Sequence, residues 1–251
     1  MSILVVPHGW GDARTVDLQA VLDSVVCVMN DFFESDADSD IIINHNSTYG
    51  PRVLYDRGPN NEYQVLLSSK DLAWAQHAYQ FAHEYCHIRT NYSNGSRKVK
   101  WFEETICELA SLFALRRMSE RWQENPPYEN WRDYSEYIYK YAENRIVDEN
   151  HILPDSVDFQ SWFTARLNDL ENNQYMRDIN TTIAIRLLPL FEETPQLWRA
   201  MSYINTWNCA DVDDVYKFFY KWLVALPYDL KPHALNIVEL FGKKPNKYSD
   251  K

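Results

Sequence analysis

The chain has 251 residues, 45% hydrophobic and 15% aromatic, which is enough to bury a sizeable core and too apolar for a disordered chain. Its 36 acidic residues against 25 basic leave a net charge of −11. The densest basic cluster, Arg97-Lys98-Val99-Lys100, is short and sits in a polar loop, so no nucleic-acid partner is expected.

Leu18, Val21, Leu22, Val25, Val26 and Met29 recur at helical spacing and predict a helix over 17–33. Ile41-Ile42-Ile43 and Val53-Leu54-Tyr55 read as short strands, separated by a loop carrying Gly50-Pro51. A turn at 57–61 precedes a third strand, Tyr63 to Leu67. Residues 71–87 turn helical, with Ser68 or Ser69 as cap and Trp74, Ala78, Phe81, Tyr85 and Ile88 on one packing face. Asn91 to Lys100 breaks that helix, a second runs over 101–121, and Pro126-Pro127 closes the region. Beyond it the pattern is helical to residue 241. The expected class is α+β, mostly α. Residues 1–126 are read as a metal-site domain of helix, small sheet, metal helix and ligand helix, and residues 127–251 as a helical C-terminal region.

No stretch approaches the roughly twenty apolar residues of a membrane span, and Met1 to His8 lacks the basic start of a secretory signal. Cys27, Cys86, Cys107 and Cys209 are isolated and form no CxxC pair. They read as reduced packing thiols, and a cytoplasmic protein with no membrane association is expected.

His83-Glu84-Tyr85-Cys86-His87 is an HExxH sequence inside a predicted helix. Residues four apart lie one turn apart on the same face, so both imidazoles can reach one metal ion. Glu84, offset around the helix, can face a metal-bound water without being a ligand. Catalytic zinc takes three protein ligands and leaves one position for water. After His87 and a gap of sixteen residues comes Glu104, with Glu108 one turn further on the same helix face. Glu104 completes a His₂Glu set, and Glu108 is placed to accept the free N–H of a ligand imidazole. Glu103 is the alternative ligand, but only Glu104 has a carboxylate four residues on. A di-iron reading of Glu84-x-x-His87 needs a second Glu-x-x-His, and the chain has none.

These residues resemble the gluzincin metallopeptidases, which pair HExxH with a glutamate on a following helix. Trp101-Phe102-Glu103-Glu104-Thr105-Ile106-Cys107 looks like the segment that carries that glutamate in the aminopeptidase branch, with Glu104 at the ligand position. The family's usual Asn is Glu103 here, and the exopeptidase segment of that branch is absent, so an aminopeptidase is not implied. The resemblance covers roughly residues 40–120. It implies a zincin-like fold, a Zn²⁺ cofactor, a peptide or protein substrate, and an edge strand lining the substrate cleft, for which Tyr63 to Leu67 is the candidate.

The implied reaction is peptide-bond hydrolysis, with zinc held by His83, His87 and Glu104, Glu84 as general base and Glu108 behind the ligands. The C-terminal helices are expected to close one side of the cleft. The rival is a zinc-bound interaction or regulatory protein that turns nothing over; an intact Glu84 argues against it. His77 falls off the metal face and reads as a surface or boundary residue. His8, His45, His151 and His233 read as structural, and the tyrosines from Tyr134 to Tyr141 as an aromatic packing face.

Overall fold

The computed structural model describes residues 1–33, 35–209 and 211–242. It is mostly helical with one small sheet, so the α+β class holds. The chain divides into two compact units. One comprises Met1–Arg89 and Cys107–Val147, the other Thr90–Ile106 and the chain from Asp148 onward. Pro126-Pro127 lies inside the second segment of the first unit. Just beyond it Trp131 stacks between Trp74 and Trp122, with ring centroids 5.3 and 5.5 Å away.

In the first unit, β1 (Ile3–Val5), β2 (Ile41–His45), β3 (Arg52–Val53) and β4 (Tyr63–Leu67) form a sheet of order β1-β2-β4-β3. β1 pairs with β2 and β2 with β4 in parallel, while β3 runs antiparallel to β4. The strand expected to be the edge, Tyr63 to Leu67, is therefore interior, and the antiparallel edge is β3. Ile41, Ile43, Val65 and Leu67 alternate along their strands and are fully buried, the two-residue period of a pleated sheet. A parallel pair needs a crossover, and α1 (Thr15–Phe33) supplies it between β1 and β2. Its buried stripe is Leu18, Val21, Leu22, Val25, Val28 and Met29. Val28 takes the place expected of Val26, which is half-buried.

α2 (Trp74–Arg89) follows β4. Neither serine caps it: the backbone N–H groups of Ser68 and Ser69 instead donate to Oε1 of Gln80, a turn and a half inside the helix. All of α2 except Gln76 and His83 is buried, so it is a central helix rather than one with an open polar face. α3 (Lys100–Glu124) begins in the second unit and continues in the first, where α4 (Ser135–Ile146) packs beside it through Arg116 and Glu143 at 2.6 Å.

The second unit contains α5 (Phe159–Asn172), α6 (Arg177–Glu193), α7 (Gln196–Met201), α8 (Val215–Ala225) and α9 (Lys231–Leu240). Asp158 and Asp214 cap α5 and α8 by accepting from Ser161 and Lys217 N–H, both at 2.8 Å. Its core is aromatic. Phe102 meets Phe218, Phe219 and Phe241 at 5.2–6.0 Å, and Trp101 meets Phe163 at 5.4 Å. Among the described residues no helix is long and apolar enough to cross a membrane.

Candidate metal centre

His83 and His87 project from consecutive turns of α2 with ring centroids 5.0 Å apart and planes at 68°. A third donor comes from α3: one ligand atom each from His83, His87 and Cys107 all lie within 4.8 Å of one another. Two imidazole nitrogens and a sulfur are a donor set that zinc accepts. His87 and Cys107 are buried, whereas the His83 side chain keeps 20% of its surface exposed, so the cluster is reached from the His83 side.

Glu84, between the two histidines in sequence, is only 3% exposed. Its Oε2 accepts a hydrogen bond from the backbone N–H of Val53 at 2.7 Å. The next residue, Leu54, points its own N–H the other way, to Gln64 O on β4 at 2.8 Å. The Val53 donor therefore lies on the outer side of the edge strand, and Glu84 occupies it.

Glu108 lies behind His83. Its Oε2 is 3.9 Å from His83 Nδ1, an ion-pair separation rather than a hydrogen bond. With Nδ1 on the side of a carboxylate, Nε2 is the ring nitrogen turned away from it. Oε1 of Glu108 accepts a hydrogen bond from the Tyr79 hydroxyl. Burial, and then the charge of Glu108, push that hydroxyl well above its usual range, with Arg145 pulling the other way, so Tyr79 stays a protonated donor. Arg145 on α4 places its guanidinium 4.2 Å over the Tyr79 ring, and Tyr141 packs against the same ring at 5.7 Å. Sequence reasoning missed Tyr79, although it has a signal there: residues 79, 83 and 87 are four apart and share one helix face.

On α3, from Trp101 to Leu115, Glu104 and Glu108 are the two residues not buried. They stand four apart in an otherwise enclosed helix surface. Glu103, the alternative ligand, is committed elsewhere. It is 2% exposed, and its Oε2 accepts from Lys100 Nζ at 3.2 Å and Asn205 Nδ2 at 2.9 Å, while Lys100 also donates to Tyr92 O at 2.5 Å.

The structure corrects the reading of two other residues. His77 is fully buried rather than at the surface, with Nδ1 2.7 Å from Ser69 Oγ and Nε2 3.1 Å from Asp71 O. Cys107, expected only to pack, faces the histidine pair; Cys86 is buried, as expected. Of the tyrosine run, Tyr137 and Tyr139 are exposed rather than packed, while Tyr134 and Tyr141 turn toward α2.

No family model, curated protein or solved structure matches this chain.

Proposed function

We propose that the protein is a zinc-dependent hydrolase of the gluzincin type, cleaving peptide bonds, with a zincin-like first unit and a metal held by His83, His87 and Glu104. The observation that carries this reading is the convergence of His83 and His87, one turn apart, with Glu84 buried between them in sequence and His83 open to solvent. The half-buried pair Glu104 and Glu108, in a stretch of α3 otherwise buried from Trp101 to Leu115, also supports it.

Bound zinc supplies Lewis acidity, lowering the pKa of a water toward about 7 and polarising the substrate carbonyl. The protein's own groups do the rest. Glu84, held by the backbone N–H of Val53, would take the water proton on its carboxylate and return it to the leaving amine. Glu108 orients the His83 ring, and the Tyr79 hydroxyl donates to Glu108 while Arg145 lies over the Tyr79 ring. One observation favours the rival reading of a zinc-bound protein without turnover: Oε2 of Glu84 is tied to the main chain of the sheet edge.

The deciding experiment measures zinc content of wild type and Glu104→Ala, together with cleavage of a broad peptide library by wild type and Glu84→Gln. One equivalent of zinc, lost with Glu104→Ala, and cleavage abolished by Glu84→Gln are expected. Zinc without cleavage moves the reading to the non-catalytic rival. A wild-type protein that binds no zinc overturns it.

A further inference from the structure

We infer that Cys107 is itself a ligand of the metal, adding a thiolate to the two imidazoles. The inference rests on the metal-site reading above and goes beyond its His₂Glu ligand set.

A buried cysteine is ordinarily a small packing residue, and Cys86 on α2 is the internal comparison. Both thiols are buried in the helices that build the site, but only Cys107 shares a cluster with the histidines. A tetrahedral ion with metal–nitrogen bonds near 2.0–2.1 Å and a metal–sulfur bond near 2.3 Å sets its ligand atoms roughly 3.3–3.6 Å apart. The three donor atoms already lie within 4.8 Å of one another. An inward movement of about 1 Å, within the reach of side-chain torsions, closes them on one ion. Two of the three donors are buried, so little water has to be displaced. Coordination replaces the S–H proton by a sulfur–metal bond, and the proton leaves to solvent with no change of oxidation state.

The set then differs in kind from two histidines and a carboxylate. Sulfur is the softer donor, and it places negative charge on the metal from inside the fold.

The test replaces zinc by Co²⁺ in the full-length protein and records its absorption spectrum. A thiolate ligand gives an intense sulfur-to-cobalt charge-transfer band in the near ultraviolet, in addition to the weaker ligand-field bands of any tetrahedral site. The expected result is that band in wild type, unchanged in Cys86→Ser and lost in Cys107→Ser. The loss should accompany a fall in zinc affinity at least as large as the roughly 10–100-fold typical of outer partners. Cobalt bound with ligand-field bands alone overturns the thiolate and leaves the His₂Glu reading intact. No bound cobalt overturns both. The wild-type spectrum decides the matter even if Cys107→Ser fails to fold.

Discussion

Glu84 accepts its hydrogen bond from the main chain of Val53, 2.7 Å away, so this carboxylate of α2 is fastened to the edge of the sheet. The donor carries no side-chain identity and lies on the side of β3 that faces away from its ladder. Val53→Pro removes that N–H and nothing from the β3–β4 pairing, and proline is tolerated on edge strands. We expect a loss of about 1.5–3 kcal/mol, the range for a hydrogen bond to a charged group, with zinc content unchanged. Urea unfolding checks this; a variant as stable as wild type would mean that Glu84 finds another donor at no cost.

Glu108→Gln keeps the shape of the side chain and removes its charge behind His83. Zinc affinity should fall by about 10–100-fold, read by competition with a chelator, while circular dichroism stays that of wild type. Unchanged affinity would show that the 3.9 Å separation to Nδ1 does not tighten when metal binds.

In the second unit, Glu103 and Lys100 form a buried pair closed by Asn205 and Tyr92 O. Removing one partner strands the other, so Glu103→Ala should cost about 3–5 kcal/mol. The double change Lys100→Met with Glu103→Met should recover much of that loss, because replacing a buried pair by apolar groups is often close to neutral. Thermal unfolding of the two variants side by side reads the difference.

His77 is held below its ordinary pKa of 6.5, mainly by burial, with the Asp71 carbonyl acting in the opposite direction. The unfolded chain therefore takes up a proton at a pH where the folded chain does not. This group's contribution to stability is complete above about pH 6.5 and is lost as the pH falls from there through the folded-state pKa. Urea midpoints measured downward from pH 7.5 should show a shallower acid slope in His77→Gln than in wild type. Equal slopes would place the titration elsewhere.

Much of this architecture is written in residue periodicity. The 3.6-residue repeat of α1 and α2 and the alternation of β4 appear almost at the boundaries predicted, because each element must bury one stripe or face. What was not legible depends on partners distant in sequence. β1 is only three residues long and ends two positions before Pro7, and nothing local announces that Ile3 pairs with Ile41. His77 looked like a surface residue because the groups that satisfy it, Ser69 and Asp71, belong to the preceding loop. Spacing rules for metal cysteines describe thiols close together in sequence, so a single cysteine arriving from another helix carries no such mark. The two histidines were legible because one helix turn fixes their separation; Cys107 was not, because its approach is a property of packing.

The parallel pairing of β1 with β2 and of β2 with β4 has a kinetic consequence. No tight turn can zip these strands together, since each partner arrives only after an intervening stretch of chain has been gathered in, and for β1 and β2 that stretch contains all of α1. Closing such loops costs entropy before any strand pair repays it. The first unit should therefore emerge late from a collapsed, helix-rich ensemble. His83 and His87, sharing one helix, can meet before the sheet exists, whereas Glu84 reaches Val53 only after the last strand has docked.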